Sequence, residues 1–188
     1  MLRVIFVVFS LWLYSLSAQG ASFGGIEFDD QVVGEDGSAM VLNGGGIRSK
    51  WFIKVYAMAL YLPALAQEAD IILGLSGPSY IRMHFLFDVS KERLLGTLEE
   101  GFAANHTPEQ LAAMAAEIEQ LRSLFKGVNK GDEVVLDYVP DQGTRIAFNG
   151  EYQGVIPGLS FHQAILRVWL GDKPADKKLK QALLSGPQ

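Results

Sequence analysis

Hydrophobic and polar positions divide this chain into three regimes. Strand-like runs extend to residue 89, a helical period covers Ser90 to Phe125, and hairpin-like alternation resumes at Val134 before two closing helices. In the first regime Gly24–Asp30 and Gln31–Val33 read as a short first strand, Gly34–Gly37 as a turn and Ala39–Leu42 as the returning strand. Trp51–Leu62 is an apolar run rich in β-branched and aromatic residues, with Lys54 as its only charge and with Gly44–Gly46 and Pro63 on either side. It predicts a strand buried on both faces. Asp70–Leu75 reads as another apolar strand, closed by the turn Ser76-Gly77-Pro78. Tyr80–Val89 then sets Tyr80, Arg82 and His84 against Ile81, Met83, Phe85 and Phe87, one polar and one apolar face.

Ser90 is placed to cap a helix carrying Leu94, Leu95, Leu98 and Phe102. Thr107-Pro108-Glu109-Gln110 opens a second helix with a capping Thr, Pro at the first helical position and Gln where a capping box wants it. Leu111, Met114, Ala115, Ile118, Leu121 and Phe125 then predict one continuous apolar stripe. Val134–Val139, Thr144–Phe148 and Glu151–Ile156 read as hairpin strands, the last two joined by Asn149-Gly150 in a type I′ turn. Pro157-Gly158 ends the sheet, and Ser160 is the capping candidate for a largely buried helix running to Leu170. A lysine-rich helix follows over about Asp176–Leu184. Hairpins with segregated helices predict an α+β domain, helices layered on one face of a large antiparallel sheet.

The N-terminus stands apart from this pattern. Met1-Leu2-Arg3, the apolar run Val4–Leu16 and the small residues Ser17–Ala21 have the layout of a secretory signal peptide, too short for a comfortable membrane span. The expectation is a signal over residues 1–20, one domain over 21–188, no membrane span after signal removal, and a periplasmic location. Removal takes Arg3, the only charge in that segment, and moves the formal net charge from −5 to −6. Without basic clusters, nucleic acid is not an expected partner. With no cysteine, disulfides, thiolate chemistry and a lipidated-cysteine anchor are excluded.

Most candidate motifs lead nowhere. Gly158-Leu159-Ser160-Phe161-His162 has His where the nucleophile elbow of a serine hydrolase needs Gly. His84, His106 and His162 are scattered without metal-ligand spacing, and no cofactor motif is present. The acidic pairs Glu99-Glu100 and Glu117/Glu119 sit on outer helix faces. Gly44–Gly46 with Arg48 and Lys50 lacks phosphate-loop spacing, so the glycines predict a bulge or tight turn where the backbone passes close to something. What remains is Arg48, with Tyr56, Tyr61 and Tyr80 on neighbouring strands and His162 and Gln163 opening a buried helix. A guanidinium fork matches a carboxylate in two-pronged fashion. The same residues also suit a surface salt bridge at a hairpin and core tyrosines bonded to backbone.

Three segments resemble the chalcone isomerase superfamily, nearest to bacterial chalcone isomerase-like proteins with export signals: GGGIRSKWFIKVYAMALYL at Gly44–Leu62, LSGPSY at Leu75–Tyr80, and NGEYQGVIPGLSFHQAILRVWLGDKP at Asn149–Pro174. The resemblance implies an open-faced β-sandwich. It also implies a cleft in which Arg48 matches the family's arginine, Tyr80 its tyrosine after the Leu-Ser-Gly-Pro turn, and His162 and Gln163 its late-helix polar pair. Tyr56 stands where plant chalcone isomerases have threonine, and Phe87 falls near their cleft asparagine. Those two departures point away from flavonoid cyclisation and toward the fatty-acid-binding members, where an Arg and a Tyr hold a carboxylate. Expected, then, is a non-catalytic exported protein binding a small apolar carboxylate such as a fatty acid through Arg48, Tyr56, Tyr80, His162 and Gln163. The alternatives are an intramolecular lyase of the chalcone isomerase type using Arg48, Tyr56 and Tyr80, and an envelope interaction protein without a small ligand.

Overall fold

The computed structural model describes residues 20–186. The expected signal peptide lies outside the described residues, apart from Gly20. The chain begins with a hairpin, β1 (Ala21–Phe23) and β2 (Ile26–Phe28), turned by Gly24 and Gly25 at φ 68° and 84°. Two successive positive φ values make the turn whose twist suits a two-residue hairpin, and glycine takes them without strain. This hairpin and a separate strand at Gln31–Val33 stand where one short first strand was expected over Gly24–Asp30 and Gln31–Val33.

A seven-stranded antiparallel meander follows in sequence order. Its strands are β3 (Gln31–Val33), β4 (Ala39–Lys50), β5 (Ile53–Leu62), β6 (Ser79–Phe85), β7 (Glu133–Val139), β8 (Gly143–Phe148) and β9 (Glu151–Ile156). Every pair is a neighbour in sequence, so the helices interrupt the sheet without crossing it. They are α1 (Ala69–Gly74) between β5 and β6, α2 (Lys91–Asn105), α3 (Pro108–Ala113) and α4 (Ala115–Leu124) between β6 and β7, then α5 (Leu159–Leu170) and α6 (Lys177–Leu184). The sheet curls around one face. There Leu94, Leu98 and Phe102 of α2 and Ile165, Val168 and Trp169 of α5 are buried over Met58, Met83, Phe85, Val134 and Leu136. The β1–β2 hairpin covers part of the opposite face through a smaller core of Phe28, Met40, Leu42, Ala57, Ala59 and Tyr61. This is the expected α+β arrangement.

The glycine triplet makes the strand that carries Arg48. β4 continues straight through it, and the register slips between Leu42 and Gly44, leaving Asn43 as an extra residue. That bulge reverses which face the following side chains meet. A Cβ on Gly44 would sit 2.5 Å from the Ala182 carbonyl of α6, and one on Gly45 would sit 2.1 Å from the Phe23 ring on the other face. The sheet is therefore gripped on both sides at one point, where neither side chain has room. Asn43 fixes the bulge by donating to the carbonyls of Ala66 and Leu183, 2.9 Å each, and accepting from the Ala66 amide at 2.7 Å.

Elsewhere the sequence reading needs four corrections. Asp70–Leu75 is the helix α1 rather than a strand; β5 and β6 pair directly with each other, so the sheet has no slot between them. The helix expected over Thr107–Phe125 breaks at Met114 (φ −111°, ψ 18°), although its capping box forms as read. β6 ends at Phe85, four residues early, with Val89 only bridging Val128. α5 begins behind Gly158 (φ 95°), so Ser160 is not its cap.

Candidate functional site

Cross-strand register builds the site. Arg48 on β4 lies opposite Tyr56 on β5, and Tyr56 lies opposite Phe85 on β6, so the three form a row on the helix-covered face. Above that row the sheet and helices do not close. They leave a cavity of about 370 Å³, within the range of small-molecule sites. Its floor is Met83, Phe85, Val134 and Leu136, and its roof is Leu94, Leu98, Ile165, Val168 and Trp169. Arg48, Lys50, Arg93 and Asp88 are the charged groups in its wall. Three cations to one acid give an apolar chamber whose charged groups favour an anion.

Arg48 is the unusual member. It is buried, its guanidinium carbon sits 5.7 Å from the centre of the Tyr56 ring, and its Nε has no hydrogen-bond partner among the described residues. Among the described residues no carboxylate pairs with it. The nearby acids are occupied. Asp176 accepts from the amides of Lys178 and Leu179 at 2.8 and 3.1 Å as the α6 cap, and from Ser49 at 3.2 Å. Asp88 accepts from the Lys130 amide at 2.7 Å. A guanidinium keeps its charge on burial, so a lone one is costly until an anion reaches it. Stacking on the Tyr56 face offsets part of that cost.

Tyr56 is held from the other side. The indole Nε1 of Trp169 donates to its hydroxyl oxygen at 2.7 Å, which leaves the phenol proton free to be donated. Burial pushes the phenol pKa up, and the Arg48 charge pulls against that. The group is thus a protonated donor at neutral pH. Trp169 was not among the residues singled out from the sequence. A buried indole N–H nearly always has an acceptor, and that rule was the available signal.

The other proposed site residues lie elsewhere. Tyr80 is opposite Tyr61, and their rings meet edge to face at 5.9 Å on the hairpin-covered side of the sheet. Tyr56 and Tyr61 are five apart on one strand and so face opposite ways; register then carries Tyr80 with Tyr61. His162 does share a helix face with Trp169, but it lies two turns away, over the far ends of β6 and β8. There it hydrogen-bonds with Ser79 Oγ (2.9 Å) and Thr144 Oγ1 (3.3 Å) and stacks on Tyr138 at 4.0 Å. Burial pushes its pKa down to about 3, so it is a neutral fastener between α5 and the sheet. Gln163 is half-buried on α5 and does not line the cavity. Of the five, Arg48 and Tyr56 form the site.

A profile described as chalcone isomerase-like matches residues 20–185. The chain belongs to the chalcone isomerase-like family. Among solved structures it is similar to the crystal structure of a fatty-acid binding protein from Arabidopsis thaliana, at TM-score 0.57 and 17% identity, covering 82% of this chain and 95% of that one. At that identity the likeness establishes the fold. A comparison with curated protein sequences found no match. Within the chalcone isomerase-like fold the Arg48 cavity lies between sheet and helices, and Phe87 stands half-exposed at its rim.

Proposed function

We propose that this chalcone isomerase-like chain is a non-catalytic binding protein for a small apolar carboxylate such as a fatty acid, acting after export through its short N-terminal apolar run. The observation that carries the binding role is the buried Arg48, whose Nε has no partner among the described residues, in the wall of a mainly apolar cavity. The carboxylate would take the guanidinium fork and the Tyr56 proton, and the alkyl chain would lie among Leu94, Leu98, Phe85 and Val168. Each Å² of that apolar contact is worth about 25 cal/mol before association costs. The fatty-acid-binding neighbour supports the same reading.

Neither alternative gains from the geometry. A chalcone isomerase-type reaction calls on Tyr80 beside Arg48 and Tyr56, and Tyr80 lies across the sheet from the cavity. An interaction protein without a small ligand calls for a cleft filled by its own side chains, whereas this one leaves room beside Arg48. Titration with a medium-chain fatty acid tests the proposal. Arg48→Ala should weaken binding at least about tenfold, as expected for losing a charge-assisted hydrogen-bonded partner. Equal affinity in wild type and variant would remove Arg48 from the role. Native mass spectrometry of the exported fraction tests export and ligand together, through a bound mass of a few hundred daltons on wild type alone.

A further inference from the structure

The β4–β5 hairpin ends in a two-residue turn, Trp51-Phe52, flanked by the register pair Lys50 and Ile53. Its composition is the reverse of what folding asks of such a turn. Position 51 has φ 61°, a backbone state where Gly or Asn is normal and a large aromatic is strained. Trp51 is nevertheless 87% exposed, Phe52 100% and Ile53 46%, and Phe87 on the neighbouring rim is 44% exposed. Strain and solvent-exposed aromatics at one spot contribute nothing to this fold, so they point to a partner outside it. Three features say what that partner is. The hairpin from Ala39 to Leu62 contains Arg48, Lys50 and Lys54 and no acid, in a chain of net charge −5. Aromatics at the tip with lysines behind them are the arrangement of groups that sink into a bilayer interface while cations meet its headgroups. The tip is also continuous with the cavity, because Lys50, Trp51, Ile53 and Phe87 line its mouth.

We propose that the Trp51–Phe52 tip inserts into the surface of an anionic phospholipid bilayer and seats the mouth of the Arg48 cavity against it. An apolar carboxylate would then pass between membrane and cavity without crossing water. That use of the tip rests on the binding role proposed above; the docking itself does not. Lys50 and Lys54 supply attraction to the headgroups, and Trp51 and Phe52 supply depth. Reversing both lysines to Glu should weaken association with phosphatidylglycerol vesicles by at least about fivefold for each charge. Raised salt should weaken the wild type in the same direction.

Because the chain has no cysteine, one introduced at a chosen site reports that site alone. We would place a nitroxide at Phe52→Cys in the full chain, and in a second chain at Tyr152→Cys, an exposed position on β9. Collision with oxygen and with a water-soluble nickel chelate then reads depth. On phosphatidylglycerol vesicles the position 52 label should be shielded from nickel and open to oxygen, with the position 152 label in water. Trp51→Asp added to the position 52 chain should return its label to water, and phosphatidylcholine vesicles should leave it there. Any membrane affinity of the apolar run 4–16 is separated, because it would not bury the tip. A position 52 label that stays in water on bound vesicles overturns the proposal, as does equal burial of both labels. Dipolar broadening between tips without vesicles would also overturn it, by assigning the surface to a second copy of the chain. Fatty-acid titration of unlabelled chain without vesicles tests the binding role separately, so either can fail alone.

Discussion

Arg48 and His162 are both buried polar side chains, and burial acts on them in opposite ways. His162 sheds its proton and satisfies both ring nitrogens with Ser79 and Thr144. Its pKa, held at about 3 when folded, rises to about 6.5 on unfolding. The folded state therefore binds fewer protons in that window, and its stability is fully present above pH 6.5 and falls as pH drops toward 3. The slope from this one group is about 1.4 kcal/mol per pH unit. Buried Asp137 works the other way, since burial raises its carboxyl. The difference between wild type and His162→Gln, which keeps a donor and an acceptor, isolates the histidine. Urea unfolding at pH 7 and pH 5 should show the acid sensitivity reduced in the variant; an unchanged difference between the two pH values would mean that His162 is already solvated. Tyr56 allows a second residue-scale test. Tyr56→Phe removes the acceptor of the Trp169 indole among the described residues, which should cost about 1–3 kcal/mol and alter Trp169 emission. Unchanged emission and stability would show that water takes over the bond.

At the scale of elements, the β4 bulge controls where Arg48 points. Gly44→Ala drives a Cβ into backbone of α6, and Gly45→Ala drives one into a side chain, Phe23. Overpacking of this kind costs about 1–3 kcal/mol, and backbone yields less readily than a ring that can rotate. Gly44→Ala should therefore be the more damaging in thermal unfolding, with the reverse order placing α6 elsewhere. The sequence announced a bulge at the glycines but not what crossed it, because α6 arrives from the far end of the chain. Other elements were legible for local reasons: the Thr107 capping box, the Asn149-Gly150 hairpin and the apolar run of β5 each carry their signal within a few residues. α1 was misread because a six-residue segment whose apolar residues are Ile71, Ile72, Leu73 and Leu75 fits a buried strand or a short helix equally, and only the direct pairing of β5 with β6 decides between them. Within the site, alternation alone separates Tyr56 from Tyr61. Placing Tyr80 needed the cross-strand register, and the Trp169–Tyr56 bond joins residues 113 apart in sequence. No local pattern encodes either.

For the whole molecule, a buried Arg48 with no carboxylate partner among the described residues means that the ligand-free protein sits below the stability its fold could reach. Arg48→Met keeps similar bulk and removes the charge. Without ligand it should be more stable than wild type by about 1 kcal/mol or more, a rise of about 2–4 °C for a domain of this size. On the proposed binding role, free fatty acid at 100 times the wild-type dissociation constant should add about 2.7 kcal/mol to wild type. The variant, with affinity reduced tenfold or more, gains at most about 1.4 kcal/mol at the same concentration. The gap between the two melting curves should thus close or reverse as ligand is added. A less stable empty variant would mean that Arg48 has a structural partner, and an equal gain in both proteins would mean that the carboxylate is held elsewhere. The crossing of the two curves separates a residue kept for binding from one kept for folding, and it does so without knowledge of the natural ligand.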